Sequence, residues 1–352
     1  MDQPWVPEGY WDVVPHTLTV ITTYKCNAQC RDCCFECSPT LSAKLSFEEI
    51  ASFIDQAWQV FPGLRLVVFS GGEPLLLGED LFASVDHVQR LGLLSRCVTN
   101  GYWGKTHSSA TRVARRLSAS GLNEINLSTG VDHAEWVPVA SVINAAKAVA
   151  ENGIFCVITI EQDSDSSEVV SQVKADMELK LLIEAGLVKL QVNSWMPFHA
   201  DSATRKIFSN REEMLLQGCD QVLENCVITP NKEVSGCCGL TFEHIPEMKL
   251  GSFSKHTLEV GYFSQVQDFL KIWIKVDGPY RILKILGASA GIGSLEHIVH
   301  PCQACALLHQ NERLREAIKS EYRNHMGRVL RAFYSQSLIH CDSHREVTAN
   351  AS

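Results

Sequence analysis

Three cysteines lie close together near the N-terminus, in the run Thr-Tyr-Lys-Cys-Asn-Ala-Gln-Cys-Arg-Asp-Cys. They are Cys26, Cys30 and Cys33, and they follow an apolar run typical of a β-strand. Three thiolates at this spacing can hold three irons of a cubane cluster and leave the fourth iron open to another ligand. A zinc site and scattered buried thiols are the alternatives, but zinc ribbons usually contain CxxC pairs. The spacing therefore favours an iron-sulfur site in the first loop of the fold.

The composition predicts a soluble globular protein with a sizeable core. The chain has 352 residues, of which 45% are hydrophobic, and a net charge of -9. Such an acidic chain is a poor partner for nucleic acid, because no basic stripe is available to release counterions. No signal peptide and no run of 18 apolar residues is present, so we expect a cytoplasmic protein with no membrane partner. Its 14 cysteines are then better candidates for metal ligands than for disulfides.

Strand and helix patterns alternate along the first two thirds of the chain. The predicted strands are Leu18 to Thr22, Leu64 to Phe69, Arg96 to Thr99, Glu124 to Ser128, Phe155 to Ile160 and Val188 to Val192. The predicted helices are Ser46 to Val60, Leu81 to Leu91, Ser108 to Ala119, Val137 to Glu151 and Ser167 to Glu184. Six β/α units of this length predict an α/β fold with a parallel sheet and with ligand sites at the carboxyl ends of the strands. Periodicity alone does not distinguish a partial barrel from a doubly wound sheet.

A glycine-rich turn closes the second predicted strand, in the order Gly71, Gly72, Glu73, Pro74. Two glycines at a strand end let the backbone turn sharply and approach a ligand closely. The glutamate offers an acceptor for an amine, and the proline stiffens the exit. Alone this is a weak turn signal, but beside the cysteine triplet it is a strong one.

Together these motifs resemble the radical S-adenosylmethionine (SAM) superfamily. The resemblance implies a partial (β/α)6 TIM-like barrel and a 4Fe-4S cluster whose open iron binds SAM. Reductive cleavage of SAM would then release a 5'-deoxyadenosyl radical, which abstracts hydrogen from an unactivated carbon. The segments Cys97 to Gly101 and Asn126 to Asp132 resemble the ends of the third and fourth strands of the family. The SAM-binding residues implied are Gly71, Gly72, Glu73, Pro74, Asn100, Ser128 and Asp32.

Some positions depart from the family pattern. Asp32 stands where an aromatic or bulky apolar residue usually lines the adenine site. Arg205 is the nearest replacement for an arginine that the family often has after the sixth strand. Cys34 and Cys37 extend the cluster loop, and we interpret them as spare thiols, with an alternative ligand or a redox group as the second possibility.

The cysteines return after residue 210 and resemble a twitch domain, the shortened form of the SPASM extension. The resemblance assigns one auxiliary 4Fe-4S cluster to Cys219, Cys237, Cys302 and Cys305, with Cys226 and Cys238 as substitutes. A hairpin with Pro-Asn at its turn is predicted between these cysteines, and Lys232 stands where the family usually has a turn glycine. A structural zinc on the same four thiolates is the alternative.

These assignments predict four segments. They are an N-terminal extension over 1–15, a radical SAM barrel over 16–210, a twitch/SPASM-like auxiliary domain over 211–310, and a C-terminal helix and tail over 311–352. Within the last segment, Glu312 to Ser335 has the pattern of a charged amphipathic helix. About 15 residues precede the first strand, which leaves no room for an N-terminal leader-binding module.

The resemblance favours an enzyme that crosslinks, oxidises or epimerises a ribosomally made peptide. The alternatives are a small-molecule dehydrogenase or mutase, and a non-enzymatic iron-sulfur or zinc protein. In epimerisation the substrate radical regains hydrogen, and a thiol is a suitable donor because its S–H bond is weak. The donor candidates are Cys341, Cys238 and Cys97. The expected partners are the peptide or small-molecule substrate, a flavodoxin or ferredoxin as electron donor, and a separate leader-binding protein.

Overall fold

The computed structural model describes residues 5–162, 166–194, 196–199, 202 and 212–350. Its nine strands form one sheet in the order β6-β5-β4-β3-β2-β1-β7-β8-β9. The strands are β1 Thr17–Thr23, β2 Leu66–Gly71, β3 Leu94–Thr99, β4 Glu124–Gly130, β5 Phe155–Gln162, β6 Val188–Ser194, β7 Asn225–Ile228, β8 Glu233–Ser235 and β9 Lys249–Ser252. The first six are parallel throughout, which confirms the predicted α/β class and all six predicted strands.

Helices connect these strands and cover the sheet. They are α1 Tyr10–Val13, α2 Phe47–Val60, α3 Glu79–Arg90, α4 His107–Ala119, α5 Val131–Ala134, α6 Val139–Glu151, α7 Glu168–Ala175, α8 Met177–Glu184, α9 Glu212–Leu215, α10 Phe269–Asp277, α11 Pro279–Leu286, α12 Pro301–Gln310 and α13 Glu312–Asn350. The capping box predicted for α2 is present: the Ser46 side chain accepts from the Glu49 amide, and the Glu49 carboxylate accepts from the Ser46 amide. This pair fixes the start of the helix that follows the cluster loop.

The helix predicted over Ser167 to Glu184 is wrong as a single element, because two helices meet at Asp176. The backbone of Asp176 is extended there (φ -74°, ψ 113°), and its carboxylate caps α8 by accepting from the Leu179 amide at 2.9 Å. Lys147 of α6 also contacts this carboxylate at 2.9 Å. A local cap supported by an ion pair outweighs the continuous helical periodicity of the sequence.

The hairpin predicted among the later cysteines is present as β7 and β8. Strand β7 pairs in parallel with β1 and antiparallel with β8, so the hairpin extends the same sheet. At its turn Lys232 has φ +61°, a left-handed conformation that glycine adopts most easily. Lys232 therefore has the left-handed backbone conformation that a turn glycine would adopt at this position.

Two hydrophobic cores lie on either side of β1. One fills the space between the sheet and α2, α3, α4 and α6, and the other joins α10 to α13 with the N-terminal helix. Helix α13 is longer than the predicted span to Ser335 and contributes Val329, Phe333 and Cys341 to the second core. Among the described residues, no helix combines the length and apolarity needed to cross a membrane.

Candidate active site

A cavity of about 220 Å³ lies at the carboxyl ends of the parallel strands, where α/β folds bind ligands. Its lining residues are Cys26, Ala28, Cys30, Asp32, Cys33, Cys34, Phe35, Cys37, Ser70, Gly71, Gly72, Val98, Thr99, Asn100, Ser128, Asp132, His133, Thr159, Glu161, Cys238, Gly239 and Leu240. The three motif cysteines therefore share one cavity with most of the predicted SAM-binding positions. The loop between β1 and α2 brings the cysteines there, and the ends of β2, β3 and β4 bring the others.

The sulfur atoms of the cluster loop accept hydrogen bonds from nearby amides. The Ala28 amide donates to Cys26 Sγ at 3.4 Å, and the Cys37 amide donates to Cys33 Sγ at the same distance. The Asn100 side-chain amide lies 3.7 Å from Cys26 Sγ. Hydrogen bonds to sulfur tune iron-sulfur clusters, so this donor set suits thiolate ligands.

The electrostatics distinguish Cys33 from the other thiols of the loop. A hydrogen bond from the Cys37 side chain, together with amide donors, lowers the pKa of Cys33 to about 6 despite burial. Burial raises the pKa of Cys26 to about 11 and also raises that of Cys30. Cys37 is itself buried and supports Cys33, a role that the sequence did not indicate.

The two glycines of the turn at the end of β2 are required by close backbone packing. A Cβ at Gly71 would lie 2.4 Å from the Thr23 carbonyl oxygen, and a Cβ at Gly72 would lie 2.2 Å from that of Lys25. The Gly72 amide donates to Thr23 O at 2.7 Å. The two glycines therefore allow a close approach to the backbone of Thr23 and Lys25, which leads into the cluster loop. This contact fixes the position of the loop relative to the sheet.

Glu73 is fully buried, and its carboxylate is already used within the protein. It accepts from the Thr99 hydroxyl at 2.8 Å, from the Asn100 amide at 2.9 Å and from the Leu75 amide at 3.0 Å. Burial raises its pKa to about 7, with these hydrogen bonds acting in the opposite direction. The residue interpreted from sequence as an acceptor for an amine thus ties the ends of β2 and β3 together, next to the buried Pro74.

Asp32 connects the cluster loop to the segment after β6. It is 2% exposed, and its Oδ1 accepts from the Phe198 amide at 2.8 Å and from the Ser202 hydroxyl at 2.7 Å. The role of Asp32 at the adenine site stays a prediction. Arg205 lies outside the described residues.

Sequence reasoning missed a carboxylate–imidazole pair in the cavity. Glu161 at the end of β5 is 3% exposed, and its Oε2 lies 3.1 Å from His133 Nδ1 in α5. Residue 161 pairs with Gly130 across β4 and β5. A glutamate at the end of β5 and a histidine three residues after the end of β4 were the available signal, but only the register shows that the two side chains meet.

The four cysteines assigned to the auxiliary site lie near one another. Burial raises the pKa of Cys237, and the nearby thiols of Cys219, Cys302 and Cys305 raise it further. Amides of Gln221, Gly239 and Leu240 donate to the sulfurs of Cys219, Cys237 and Cys302 at 3.4, 3.2 and 3.3 Å. The donors and the four thiols suit an iron-sulfur cluster.

Gly239 leaves room between two of these sulfurs. A Cβ at position 239 would lie 3.0 Å from Cys302 Sγ and 3.3 Å from Cys237 Sγ. Across the described parts of the chain, no three His, Cys, Asp or Glu side chains lie close enough to hold a single metal ion. The case for an iron-sulfur cluster at either site therefore rests on the thiols present there and on the amides that donate hydrogen bonds to their sulfur atoms.

The remaining cysteines lie in different surroundings. Cys226 is fully buried within β7, where burial alone raises its pKa. Cys238 is among the residues that line the cavity, and it also lies within electrostatic reach of Cys302. Cys97 is fully buried in the first core and Cys341 in the second, so the structure brings only Cys238 of the three hydrogen-donor candidates to the cavity lining.

Comparison with known proteins identifies a family for the part of the chain that forms most of this cavity. Residues 20–160 match the sequence profile of the Radical SAM superfamily. YydG of Bacillus subtilis (strain 168), named as a peptide biosynthesis protein, is 23% identical over 128 residues. That match spans 36% of this chain and 40% of YydG, well under two thirds of the relative.

Solved structures of anSMEcpe show the same fold. The chain matches anSMEcpe with bound AdoMet and the Cp18Cys peptide at a TM-score of 0.51 and 14% identity, over 91% of this chain and 99% of that one. Streptococcus suis SuiB bound to the precursor peptide SuiA matches at a TM-score of 0.45 and 14% identity, over 77% and 73% of the two chains. Since the profile match runs from β1 into β5 and contains the cluster loop, residues 20–160 of this chain form a radical SAM domain.

Proposed function

We propose that this enzyme epimerises a residue of a ribosomally made peptide, with the Cys238 thiol returning hydrogen to the substrate. The observation that carries the proposal is the position of Cys238, which lines the same cavity as the cluster cysteines. The similarity to YydG, named for peptide biosynthesis, and to a peptide-bound anSMEcpe structure supports a peptide substrate.

Cys26, Cys30 and Cys33 would hold a 4Fe-4S cluster, and SAM would bind at its open iron. Together, when bound, these groups supply the radical that takes a hydrogen atom from an unactivated carbon. Gly71, Gly72, Asn100, Ser128 and Asp32 line the cavity in which SAM would lie. Glu73 and Pro74 hold the turn beneath it.

Cys238 is suited to the second half of an epimerisation. Burial raises its pKa, so the thiol keeps its hydrogen at neutral pH. The S–H bond breaks, a C–H bond forms on the opposite face of the substrate carbon, and the unpaired electron stays on sulfur. One electron and one proton then restore the thiol. The electron comes from a low-potential carrier such as reduced flavodoxin or ferredoxin.

We assign the auxiliary 4Fe-4S cluster to Cys219, Cys237, Cys302 and Cys305. The amide donors to three of these sulfurs support that set, and the burial of Cys226 within β7, with no neighbouring thiol acting on it, argues against Cys226 as a substitute. A zinc ion on the same thiolates is distinguished by metal analysis of the anaerobically purified protein. A separate leader-binding protein remains part of this proposal.

The donor role can be tested without knowing the peptide. Reconstituted enzyme is incubated anaerobically in D2O with SAM and dithionite alone, and released 5'-deoxyadenosine is analysed by mass spectrometry. A thiol in the cavity exchanges its hydrogen with solvent, so the wild type is expected to yield singly deuterated product. Cys238→Ala should lose at least ten-fold of this deuterium, whereas the off-cavity control Cys97→Ala should retain it. Undeuterated product from the wild type, or equal labelling in Cys238→Ala, would refute the donor assignment.

A small-molecule dehydrogenase is the second candidate. Its substrate would share the cavity of about 220 Å³ with SAM. In that reaction no hydrogen returns to the substrate carbon. Undeuterated product from the wild type would shift support to this candidate.

A further inference from the structure

A groove of about 880 Å³ lies between α3 and α4, and the proposed function does not use it. Its lining comes from these two helices alone. Three of the lining residues are the exposed arginines Arg112, Arg115 and Arg116 of α4. Because they are three and four positions apart, they lie on one face of the helix.

The charge of the groove is opposite to that of the whole chain. The protein has 40 acidic against 31 basic side chains and a net charge of -9. Residues 91–123 nevertheless contain no Asp or Glu, although they include Lys105 and the three groove arginines. A basic surface on an acidic protein attracts a partner of negative charge, because complementary potentials guide association.

Two of the groove arginines are available to such a partner. Arg116 is engaged within the groove: its Nη2 lies 2.6 Å from Glu79 Oε2, and its guanidinium lies 5.0 Å from the Phe82 ring centroid. Among the residues that the structure describes, no carboxylate pairs with Arg112 or Arg115. Each exposed guanidinium offers donors that match a carboxylate. Arg116 thus shapes the groove, and Arg112 and Arg115 give it charge.

Contacts lead from a cluster cysteine to the helix that carries the groove. Asn100 Nδ2 lies 3.7 Å from Cys26 Sγ. Trp103 is three peptide units further along the chain, which span at most about 11 Å. Its carbonyl accepts from the Ser109 hydroxyl at 2.7 Å, and Ser109 belongs to the first turn of α4. That turn lines one end of the groove.

The groove is also separate from the cavity. No described residue lines both. In the proposed function the cavity receives SAM and the substrate, so an electron carrier approaches the cluster from outside it. A substrate peptide, in contrast, has to place its reacting carbon inside the cavity. A basic groove that adjoins the cluster loop but not the cavity therefore suits a carrier better than a substrate.

We propose that the groove between α3 and α4 docks an acidic low-potential electron carrier, with Arg112 and Arg115 pairing with its carboxylates. This inference rests on the reductive SAM cleavage of the proposed function. In the docked complex one electron leaves the reduced carrier and passes to the cluster that Cys26 helps to hold, and no covalent bond forms or breaks. Arg112 and Arg115 are positioning residues, because they touch the carrier and not the reacting atoms.

The test compares two reductants in reconstituted full-length enzyme, with 5'-deoxyadenosine as the product measured. Dithionite is small and needs no docking surface, whereas flavodoxin, kept reduced by NADPH and its reductase, is an acidic protein. The double variant Arg112→Glu/Arg115→Glu should keep the wild-type rate with dithionite. Its KM for flavodoxin should rise at least about ten-fold. Added salt should raise the flavodoxin KM of the wild type more than that of the variant, because screening removes an attraction that the variant lacks.

A matched control changes the net charge equally at a distance from the groove. Lys174 of α7 and Arg281 of α11 are exposed and do not line the groove. The double variant Lys174→Glu/Arg281→Glu should keep the wild-type KM for flavodoxin. Isothermal titration calorimetry of flavodoxin into each protein without SAM gives a readout that does not depend on turnover. Binding should weaken at least about ten-fold in the groove variant and not in the control.

Unchanged KM and binding in the groove variant would overturn the inference and leave an acidic peptide as the occupant that the groove fits. Equal losses in the control variant would overturn it too, since net charge alone would then explain the effect. Failure of the proposed function is recognised separately: the wild type would release no 5'-deoxyadenosine with dithionite. The calorimetric comparison would still decide whether the groove docks the carrier.

Discussion

The Glu73 carboxylate accepts a hydrogen bond from the Thr99 hydroxyl at 2.8 Å, and this contact joins the end of β2 to the end of β3 beneath the cavity. Asn100, the next residue, donates its backbone amide to the same carboxylate and directs its side chain to Cys26. The glycine-rich turn is therefore coupled to a cluster cysteine through one buried acid.

Replacing Glu73 with Gln should destabilise the protein. The amide nitrogen would face backbone N–H groups that now donate to a carboxylate oxygen, leaving buried donors unpaired. We expect a loss of about 1–3 kcal/mol in the free energy of unfolding, measured by urea titration under anaerobic conditions. Glu79→Gln, which removes one exposed ion pair with Arg116, is the matched control and should cost no more than about 1 kcal/mol. Equal losses in the two variants would disprove this role of Glu73.

Lys232 has a left-handed backbone at the β7–β8 turn, and its ammonium pairs with Glu49 at 2.6 Å. Both Lys232→Gly and Lys232→Ala lose that ion pair, but only glycine relieves the backbone conformation. The glycine variant should be more stable than the alanine variant by about 1 kcal/mol in urea unfolding. Two variants of equal stability would show that the turn carries no strain.

Gly239→Ala should weaken the auxiliary site selectively. The new methyl group would lie 3.0 Å from Cys302 Sγ, in the space between two candidate ligands. We expect iron and sulfide per chain to fall by about one cluster, while the iron of the first cluster is retained. Gly293→Ala is the control, because its added Cβ would meet no atom within 4 Å. Unchanged iron in Gly239→Ala would contradict the ligand assignment.

Glu224 should contribute a pH-dependent part of the stability. Burial acts to raise its pKa, but the hydrogen bond from His16 and the charge of Lys275, 2.6 Å away, lower it to about 2. A lowered folded-state pKa gives stability that is present above the ordinary value near 4.5 and is lost as the pH falls towards 2. Glu224→Gln should therefore cost about 2–3 kcal/mol at pH 7 and progressively less below pH 4.5. The measurement is urea unfolding of both proteins between pH 3 and 7.

For this prediction, Glu259→Gln is the control, since Glu259 forms an exposed pair with Lys255. Its stability should follow the wild type at every pH. A constant difference between wild type and Glu224→Gln across the range would show that the carboxylate does not titrate as described.

Much of the fold follows from local patterns. The runs of β-branched and apolar residues predicted the first six strands, because strands buried on both faces are nearly continuous in hydrophobicity. The break at Asp176 was not predictable in the same way, because Lys147, which supports it, lies on another helix.

The proximity of site residues could be predicted where it follows from spacing within one loop, but not where it depends on the register between strands. Cys26, Cys30 and Cys33 share one loop, so their proximity follows from the chain. Cys237 and Cys238 are neighbours in sequence, yet of the two only Cys238 lines the cavity, and no periodicity in the sequence separates them. The Glu161–His133 contact depends on how β5 pairs with β4, which only the folded sheet shows.

The most direct test of the central claim is the release of 5'-deoxyadenosine. Wild-type protein and Cys30→Ala are reconstituted anaerobically with iron and sulfide, incubated with SAM and a strong reductant, and assayed by mass spectrometry. The account predicts product from the wild type and none from Cys30→Ala, because two thiolates cannot hold the three irons that leave the fourth open. No product from the wild type, with iron for one cluster or fewer and zinc retained, would contradict the radical mechanism.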